Sequence, residues 1–198
     1  GPLLLVDPNL VPAVVSAEIA RLHPRLIVVV GSESAVSAEV YDELATLAPE
    51  IRRDSGADRF ETSRVIAQNA FTSSTTAYIA TGLGFADALT AGAAAGAKHA
   101  PVILVDGAAT TVDAATVATL TALGVTNVLI AGSSVVVSDG LAASIDALPG
   151  VTVTRLGGKD RFATASAVTR NAFPTSATVY LAVGLNFPDA LAGAALAG

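Results

Sequence analysis

Residues 76–105 read TAYIATGLGFADALTAGAAAGAKHAPVILV, and their pattern indicates the class of the fold. A short run of strand-forming residues over 76–80 is followed by a turn that contains glycine and by an alanine-rich segment that predicts a helix over 87–98. The apolar run over 101–105, bounded by proline and glycine, is typical of a strand buried on both faces. The stretch therefore predicts a strand–helix–strand unit of a parallel sheet.

The flanking sequence continues the alternation of helix and strand. Upstream, Asp58 and Glu61 have the spacing of a capping box at the start of a helix over 58–71. Downstream, a helix over 111–123 ends at Gly124, and Ser138 begins another helix. Apolar runs over 128–131 and 151–155 predict two further strands. We therefore expect an α/β fold with a mainly parallel sheet covered by helices.

The chain also repeats itself. Residues 56–60 return 102 residues later as 158–162, and residues 78–89 return as 180–191. Residues 2–7 and 31–37 return as 101–106 and 132–138. A repeat of about 100 residues predicts three parts: the second half of one copy (1–51), a complete copy (52–153) and the first half of a third (154–198). We expect the two half-copies to fold together as one module with the chain ends close together, and the chain to be a piece of a longer protein.

Composition excludes several classes of protein. The 198 residues are 52% hydrophobic and 14% charged, too apolar for a disordered chain. The sequence contains no run of about 18 apolar residues, so it has no candidate for a membrane-spanning helix. The absence of cysteine excludes disulfides and thiolate metal sites. A net charge of −6 and few aromatic residues argue against nucleic acid as a partner.

Alanine makes up about a fifth of the chain, far above ordinary usage. Small residues concentrate in the predicted helix over 87–98, at Ala91, Gly92, Ala95 and Gly96. Such a helix can approach a sheet or another module closely, and this interpretation is favoured over a compositional bias of the coding sequence.

Catalytic and cofactor patterns are incomplete. His23 and His99 have no counterparts in the other copies, which indicates loop residues rather than general bases. The Gly31-Ser32 and Gly132-Ser133 pairs do not extend to a nucleophile elbow. Residues 82–87 follow a strand and open a helix, but an aspartate stands where the third glycine of a dinucleotide fingerprint belongs. We therefore predict no catalytic residues, no metal and no cofactor.

A small set of polar residues recurs between the copies, and each member has two interpretations. Aspartates and serines at helix starts are expected as N-caps, whereas the arginines can pair with a carboxylate or with an anionic ligand. Asp7 and Asp106 end a strand at the edge where α/β folds place ligands, which makes them the better site candidates. The recurring pairs are Asp58/Asp160, Arg59/Arg161, Thr62/Thr164, Asn69/Asn171, Asp87/Asp189, Asp7/Asp106 and Ser37/Ser138.

These elements in register resemble the type 2 cell-wall-binding repeat of Gram-positive surface proteins. The resemblance rests on the segments 56–62 and 158–164, 82–89 and 184–191, and 2–5 and 101–104. It implies Rossmann-like or Toprim-like modules, commonly three in tandem, that hold an exported protein noncovalently on an anionic cell-wall polymer. It also implies an extracellular location at the cell wall and contacts between neighbouring repeats. The resemblance assigns polymer binding to Pro2, Leu3, Leu4 and Leu5 and to Pro101, Val102, Ile103 and Leu104.

An acidic module can bind an anionic polymer only through local positive charge. Arg59, Arg161, Arg53 and Arg155 lie at or before a helix start, and we expect them to form cationic clusters whose binding is sensitive to salt. Two alternatives stay open: a doubly wound enzyme acting through Asp7/Asp106 and Asp87/Asp189, and a repeat that serves protein–protein assembly. The candidate ligand-binding residues are therefore the eight of the two Pro-Leu-type segments together with Asp7, Arg59, Asp87, Asp106, Arg161 and Asp189.

Overall fold

A computed structural model describes residues 1–197 of the chain. Two compact units divide it, the first over residues 1–69 and the second from residue 70 onward. Each unit has its own parallel sheet. The predicted division into copies at 51/52 and 153/154, and the folding of the two half-copies into one module, stay predictions.

The first unit has a two-stranded parallel sheet with helices around one small core. Its register runs from Leu26 opposite Glu50 to Val30 opposite Asp54. Buried side chains from α1, β1 and α2 meet in this core, among them Ile19, Val29 and Val40. The elements are α1 (Ala13–Leu22), β1 (Leu26–Val30), α2 (Ala38–Ala45), β2 (Glu50–Asp54) and α3 (Arg59–Ala70), the last of which ends at the boundary of the unit.

The second unit has a four-stranded sheet in the order β4-β3-β5-β6, and every pairing is parallel. This confirms the predicted α/β class with a parallel sheet. Its elements are β3 (Thr76–Thr81), α4 (Ala86–Ala97), β4 (Val102–Val105), α5 (Ala114–Leu123), β5 (Asn127–Ala131), α6 (Asp139–Asp146), β6 (Thr152–Leu156), α7 (Arg161–Ala172) and α8 (Pro188–Ala197).

Small side chains set the spacing on one face of this sheet. Tyr78 points to that face, where α4 contributes the buried residues Ala91, Ala94 and Ala95 to the same cluster. Helix α4 packs against α7 and α8 as well as against β3. The packing interpretation of the alanines is therefore confirmed within the second unit. It is wrong for Gly92, where an added Cβ would meet nothing within 4 Å.

The helix starts agree with the predicted caps, with one shift. Ser37 and Ser138 accept the amides of Val40 and Leu141 at 3.3 and 3.0 Å. Helix α5 begins at Ala114 rather than at the predicted 111, because the Asp113 carboxylate accepts the amide of the third helical residue at 2.8 Å and caps the helix there.

The strand pairings repeat with the sequence. In the first unit β1 pairs with β2 in the register that β5 and β6 show in the second unit. Two strand-like segments of the partial copies depart from the repeat. Among residues 1–197, neither residues 2–6 nor residues 178–183 form a strand, although their counterparts in the complete copy are β4 and β3.

A charged cluster in the first unit has no counterpart in the second unit. The carboxylate of Asp54, only 1% exposed, accepts hydrogen bonds from Nε and Nη2 of Arg52 at 3.0 and 3.2 Å and from Nδ2 of Asn69 at 2.8 Å. In the second unit the corresponding positions hold Leu156 and Thr154. The same buried position is therefore occupied by an ion-paired aspartate in the first unit and by a leucine in the second.

Candidate functional site

The order of the strands in the second unit creates a crevice between β3 and β5. The chain leaves β3 through α4 toward β4 on one side, and it leaves β5 through α6 toward β6 on the other side. The two loops therefore diverge at the carboxyl ends of neighbouring strands. Ligands of open α/β sheets bind at such a topological switch point.

A cavity of about 280 Å³ lies at this switch point. Three segments form it: the loop after β3 with the start of α4, the loop after β5, and the turn into α7. Two helix N-termini therefore face one space, and such termini offer backbone amides to an anion. The residues around the cavity are Thr81, Gly84, Phe85, Ala86, Asp87, Ser133, Val135, Val136, Gly158, Lys159, Asp160, Arg161 and Thr164.

Glycines let the loops around the cavity approach each other. Gly132 ends β5 with φ of +131°, in the region that favours glycine. A Cβ on Gly157 would lie 2.5 Å from the carbonyl oxygen of Gly132. A Cβ on Gly107 would overlap the carbonyl oxygen of Val136. The backbone at Gly157 and Gly107 therefore lies so close to the loop after β5 that a residue with a Cβ would clash at either position.

Arg155 fixes the same loop from the side. Its guanidinium donates to the carbonyl oxygens of Gly132 at 3.1 Å and Ser138 at 3.3 Å, and it pairs with Asp139 at 3.2 Å. Arg155 is thus a loop-positioning residue, and its place in a cationic cluster stays a prediction.

The first unit contains the same arrangement. There Arg53 donates to the carbonyl oxygens of Gly31 at 2.9 Å and Ser37 at 3.3 Å, and its guanidinium lies 4.9 Å from the centre of the Tyr41 ring. The place of Arg53 in a cationic cluster likewise stays a prediction.

Two basic residues line the cavity. Lys159 is exposed at the turn into α7. Arg161 donates to the carbonyl oxygen of Gly184 at 2.6 Å and lies 5.6 Å from the centre of the Phe85 ring. These two contacts orient the Arg161 guanidinium at the rim of the cavity.

Two carboxylates line the cavity as well, with different roles. Asp160 accepts the amide of Ala163 at 2.8 Å and caps α7, as predicted. Asp87 is the second residue of α4, and the N-cap position belongs to Phe85, so the prediction that Asp87 caps this helix is wrong. Burial raises the pKa of Asp87, and the charge of Arg161 opposes that rise.

Asp106 lies in the turn that follows β4, and Asp7 lies in the turn that follows the corresponding segment 2–6, which forms no strand. The Asp106 carboxylate accepts the amide of Ala108 at 3.0 Å, and that of Asp7 accepts the amide of Asn9 at 3.0 Å. Both contacts are Asx turns, which stabilise the loop locally. Neither aspartate is among the residues that line the cavity.

The two Pro-Leu-type segments differ in exposure. Pro2–Leu5 are exposed in the first unit, whereas in the second unit Pro101 is buried beside β4 and the side chain of Ile103 is fully buried in it. Val102 and Leu104 are partly buried against the core. In the complete copy this segment therefore leads into and forms β4, the edge strand of the sheet.

The cavity brings together only two of the predicted site residues, Asp87 and Arg161. Arg59 begins α3 in the first unit, and Asp189 is exposed in the first turn of α8. Sequence reasoning missed Lys159, because alanine stands at its position in the other copy. Lys159 is identified from the strand order, which shows that the turn into α7 lies beside the loops after β3 and β5.

Thr164 recurs as Thr62, and both have a structural role. Thr164 Oγ1 accepts the amide of Gly158 at 3.2 Å, and Thr62 Oγ1 accepts the amide of Gly56 at 3.0 Å. Each threonine fixes the turn that leads into its helix.

Over residues 1–197, no helix is long and apolar enough to cross a membrane. Within the same residues no three histidine or acidic side chains are grouped as a metal site requires.

Comparison with known proteins gives matches over the whole chain. A family model described as cell wall binding domain 2 (CWB2) matches residues 53–142 and 155–198. The N-acetylmuramoyl-L-alanine amidase LytC of Bacillus subtilis (strain 168) is 24% identical over 197 residues, which cover all of this chain and 38% of the amidase.

Two solved structures are also similar. Cwp8 from Clostridium difficile has a TM-score of 0.86 and 31% identity, covering 99% of this chain and 34% of that one. Cwp6 from the same organism has a TM-score of 0.80 and 27% identity, covering 88% of this chain and 28% of that one. The chain therefore spans between 28% and 38% of the length of these relatives.

Proposed function

Since the chain belongs to the cell wall binding domain 2 (CWB2) family and is a cell-wall-binding module of a surface-associated protein, we propose that it binds an anionic cell-wall polymer at the switch-point cavity. In this proposal the module holds an exported protein noncovalently on the wall. The activity of the protein then resides in a region outside this module, as the name of the amidase relative suggests.

The observation that carries the proposal is the pairing of two cations with two helix N-termini around one cavity. Lys159 and Arg161 lie at its rim, and the first turns of α4 and α7 face into it. A net charge of −6 repels an anionic polymer at long range, so attraction has to be local. Within about one Debye length, the charges nearest the ligand dominate.

The carboxylates of the cavity fit this role in different ways. Asp160 is engaged as the cap of α7 and so directs its charge toward backbone amides. Asp87 has a raised pKa because it is half buried, and protonation would remove its repulsion of an anion. The carboxyl group of Asp87 can also accept hydrogen bonds from sugar hydroxyls of a polymer, and when protonated it can donate one to them.

The remaining candidates enter the proposal as secondary contacts. Exposed Pro2, Leu3, Leu4 and Leu5 and the edge-strand backbone of Pro101, Val102, Ile103 and Leu104 offer apolar and hydrogen-bonding surface to a polymer. Arg59 and Asp189 lie at the starts of α3 and α8, the helices that correspond by the repeat to α7 and α4 of the cavity. Asp7 and Asp106 shape the turns beside these segments.

The experiment compares charge-neutralised variants in binding to purified cell walls. Lys159→Gln removes one cavity cation, and Lys98→Gln removes an exposed cation at the end of α4 that does not line the cavity. We expect Lys159→Gln to weaken binding by roughly three- to tenfold, and Lys98→Gln to change it by less than about twofold. Equal effects of the two variants would refute the cavity as the binding site.

Salt provides a second readout of the same mechanism. Raising the salt to about 1 M shortens the Debye length to about 3 Å and should release the wild-type module. The Lys159→Gln variant should lose less affinity over that range, because one contact is already missing. Binding that is equally strong at low and at 1 M salt would contradict an electrostatic mechanism.

A further inference from the structure

The carboxylate of Asp87 lies in the switch-point cavity with hydrogen-bonding capacity that the protein does not use. It is half buried, and among the described residues no group donates a hydrogen bond to it. Its Oδ2 atom lies 3.1 Å from the position that a Cβ on Gly132 would take, which places the carboxylate over the end of β5. A carboxylate that is partly removed from water without a donor is costly, so this position favours a ligand that supplies donors.

Thr81, the last residue of β3, adds a buried hydroxyl group to the same cavity. Its side chain is only 6% exposed, and its Oγ1 atom accepts the amide of Leu83 at 3.2 Å. Within residues 1–197 no acceptor lies in reach of the hydroxyl hydrogen. A buried hydroxyl group in this state can donate to an oxygen atom of a ligand.

A comparison of the two units identifies a third hydroxyl group, that of Ser133. In the first unit the hydroxyls of Ser32 and Ser34 hydrogen-bond to each other at 2.7 Å. The repeat places Ser133 and Val135 at these two positions in the second unit, so a valine that is 91% exposed replaces the partner of the serine. Ser133 lines the cavity, and its hydroxyl group is therefore available to a ligand there.

The charges around the cavity decide which kind of donor suits Asp87. Lys159 and Arg161 line the same cavity, and the first turns of α4 and α7 face into it. An ammonium group brought to Asp87 would be repelled by these positive charges, whereas a hydroxyl group carries no net charge. Hydroxyl groups are therefore the favoured donors, and the two cations and the helix N-termini stay available for a phosphate of the same ligand.

We propose that the cavity recognises a free hydroxyl group next to a phosphate of the polymer, with Asp87 as the acceptor of that hydroxyl. This inference rests on the proposed function, because the cations of the cavity hold the phosphate. Thr81 and Ser133 offer hydrogen bonds to further oxygen atoms of the same unit. The ligand class is a hydroxylated phosphate ester, which sugars and polyols both provide. Asp87 selects against units that lack the hydroxyl group or carry it as an ester.

Two matched pairs of phosphate monoesters test the hydroxyl contact, because the members of each pair carry the same charge. The sugar pair is glucose 1-phosphate with 2-deoxyglucose 1-phosphate, and the polyol pair is glycerol 1-phosphate with propyl phosphate. Each ester is titrated into the isotope-labelled chain, and the affinity is taken from the NMR shifts of the amides of residues 84–87 and 158–161. We expect the hydroxylated member of at least one pair to bind about three- to tenfold more tightly than the deoxy member. The pair with the larger ratio identifies the sugar or the polyol as the source.

Replacing Asp87 with alanine gives a result that a merely structural role would not give. We expect the ratio within the pair to fall below about twofold, because the acceptor is missing. We also expect the deoxy member to bind Asp87→Ala more tightly than wild type, because a negative charge beside the phosphate is removed. Equal weakening of both members would assign a structural role to Asp87 and overturn its role as acceptor. Asp42→Ala, at an exposed position of α2 that does not line the cavity, is the matched control and should keep the wild-type affinities.

The outcomes separate this inference from the proposed function on which it rests. Shifts at the cavity that depend on Lys159 but show no preference within either pair would overturn the hydroxyl contact and leave the proposed function standing. A preference that survives in Asp87→Ala would have the same meaning. No shift at the cavity with any of the esters would overturn the cavity as the binding site, and the hydroxyl contact with it.

Discussion

The buried Asp54 cluster offers a quantitative test of how the first unit is stabilised. Replacing Asp54 with alanine removes the acceptor of three hydrogen bonds from Arg52 and Asn69. Breaking a buried ion pair by removing one partner costs about 3–5 kcal/mol. The side chain of Arg52 is 38% exposed and regains part of its hydration, so we expect a cost of about 2–3 kcal/mol.

The second unit suggests the compensating change. The double variant Arg52→Thr/Asp54→Leu installs the residues found at 154 and 156. The second unit accommodates Thr154 and a buried Leu156 at these positions, and the variant leaves no buried charge without a partner, so it should lie within about 1 kcal/mol of wild type. Asp54→Leu alone should fall between the two, because Arg52 then faces an apolar side chain.

Hydrogen exchange measured by mass spectrometry is the suitable assay, since a chain of two units need not unfold in one step. Peptides covering β1 and β2 report on the first unit, and peptides covering β3 and β5 serve as the internal control. Faster exchange confined to the first unit is expected for Asp54→Ala. The reasoning is refuted if Asp54→Ala changes protection by less than about 0.5 kcal/mol, or if the double variant is as unstable as Asp54→Ala.

Three further predictions concern the second unit. In urea denaturation, Gly92→Ala should stabilise α4 by about 0.5–1 kcal/mol, because Gly92 is helical and has open space around it. Gly124→Ala should destabilise α5 by about 1 kcal/mol, because Gly124 has φ of +72°. Effects of the same sign in both variants would contradict these reasons. Gly107→Ala should cost more than about 2 kcal/mol in the same assay, since its Cβ would overlap a carbonyl oxygen, and a neutral effect would show that the loop can move. Burial raises the pKa of Asp87 in the folded state, so ionisation of its carboxyl group lowers stability as the pH rises above about 3.9. Asp87→Asn should therefore be more stable than wild type at pH 7, with a difference that vanishes toward pH 4. A difference in stability that does not depend on pH would show that the pKa of Asp87 is not raised.

The elements and the class of the fold follow from the sequence because two independent signals agree. Apolar runs and helical caps mark the boundaries of most elements, and the internal repeat shows each of them a second time. Ser138 and Asp160 could be assigned as caps from residue type and position alone. Asp87 could not, because the helix begins one residue earlier at Ala86, which places the aspartate inside the first turn.

The candidate site depended on information that the sequence does not carry locally. Lys159 and Phe85 are far apart in the chain and meet only because β5 lies beside β3 rather than beside β4. Arg155 has the charge of a ligand-binding residue, but its donors are taken up by loop carbonyls that only the folded backbone brings near. Recurrence between copies therefore identified residues with structural roles more readily than residues that line the cavity.

We propose that this module recognises an anionic polymer of the cell wall through a local cationic site. Retention of the chain on purified Gram-positive walls, measured before and after chemical removal of their anionic secondary polymers, tests this binding. We expect retention on intact walls at low salt and a loss of at least about tenfold on the stripped walls. Equal retention on intact and stripped walls would contradict it.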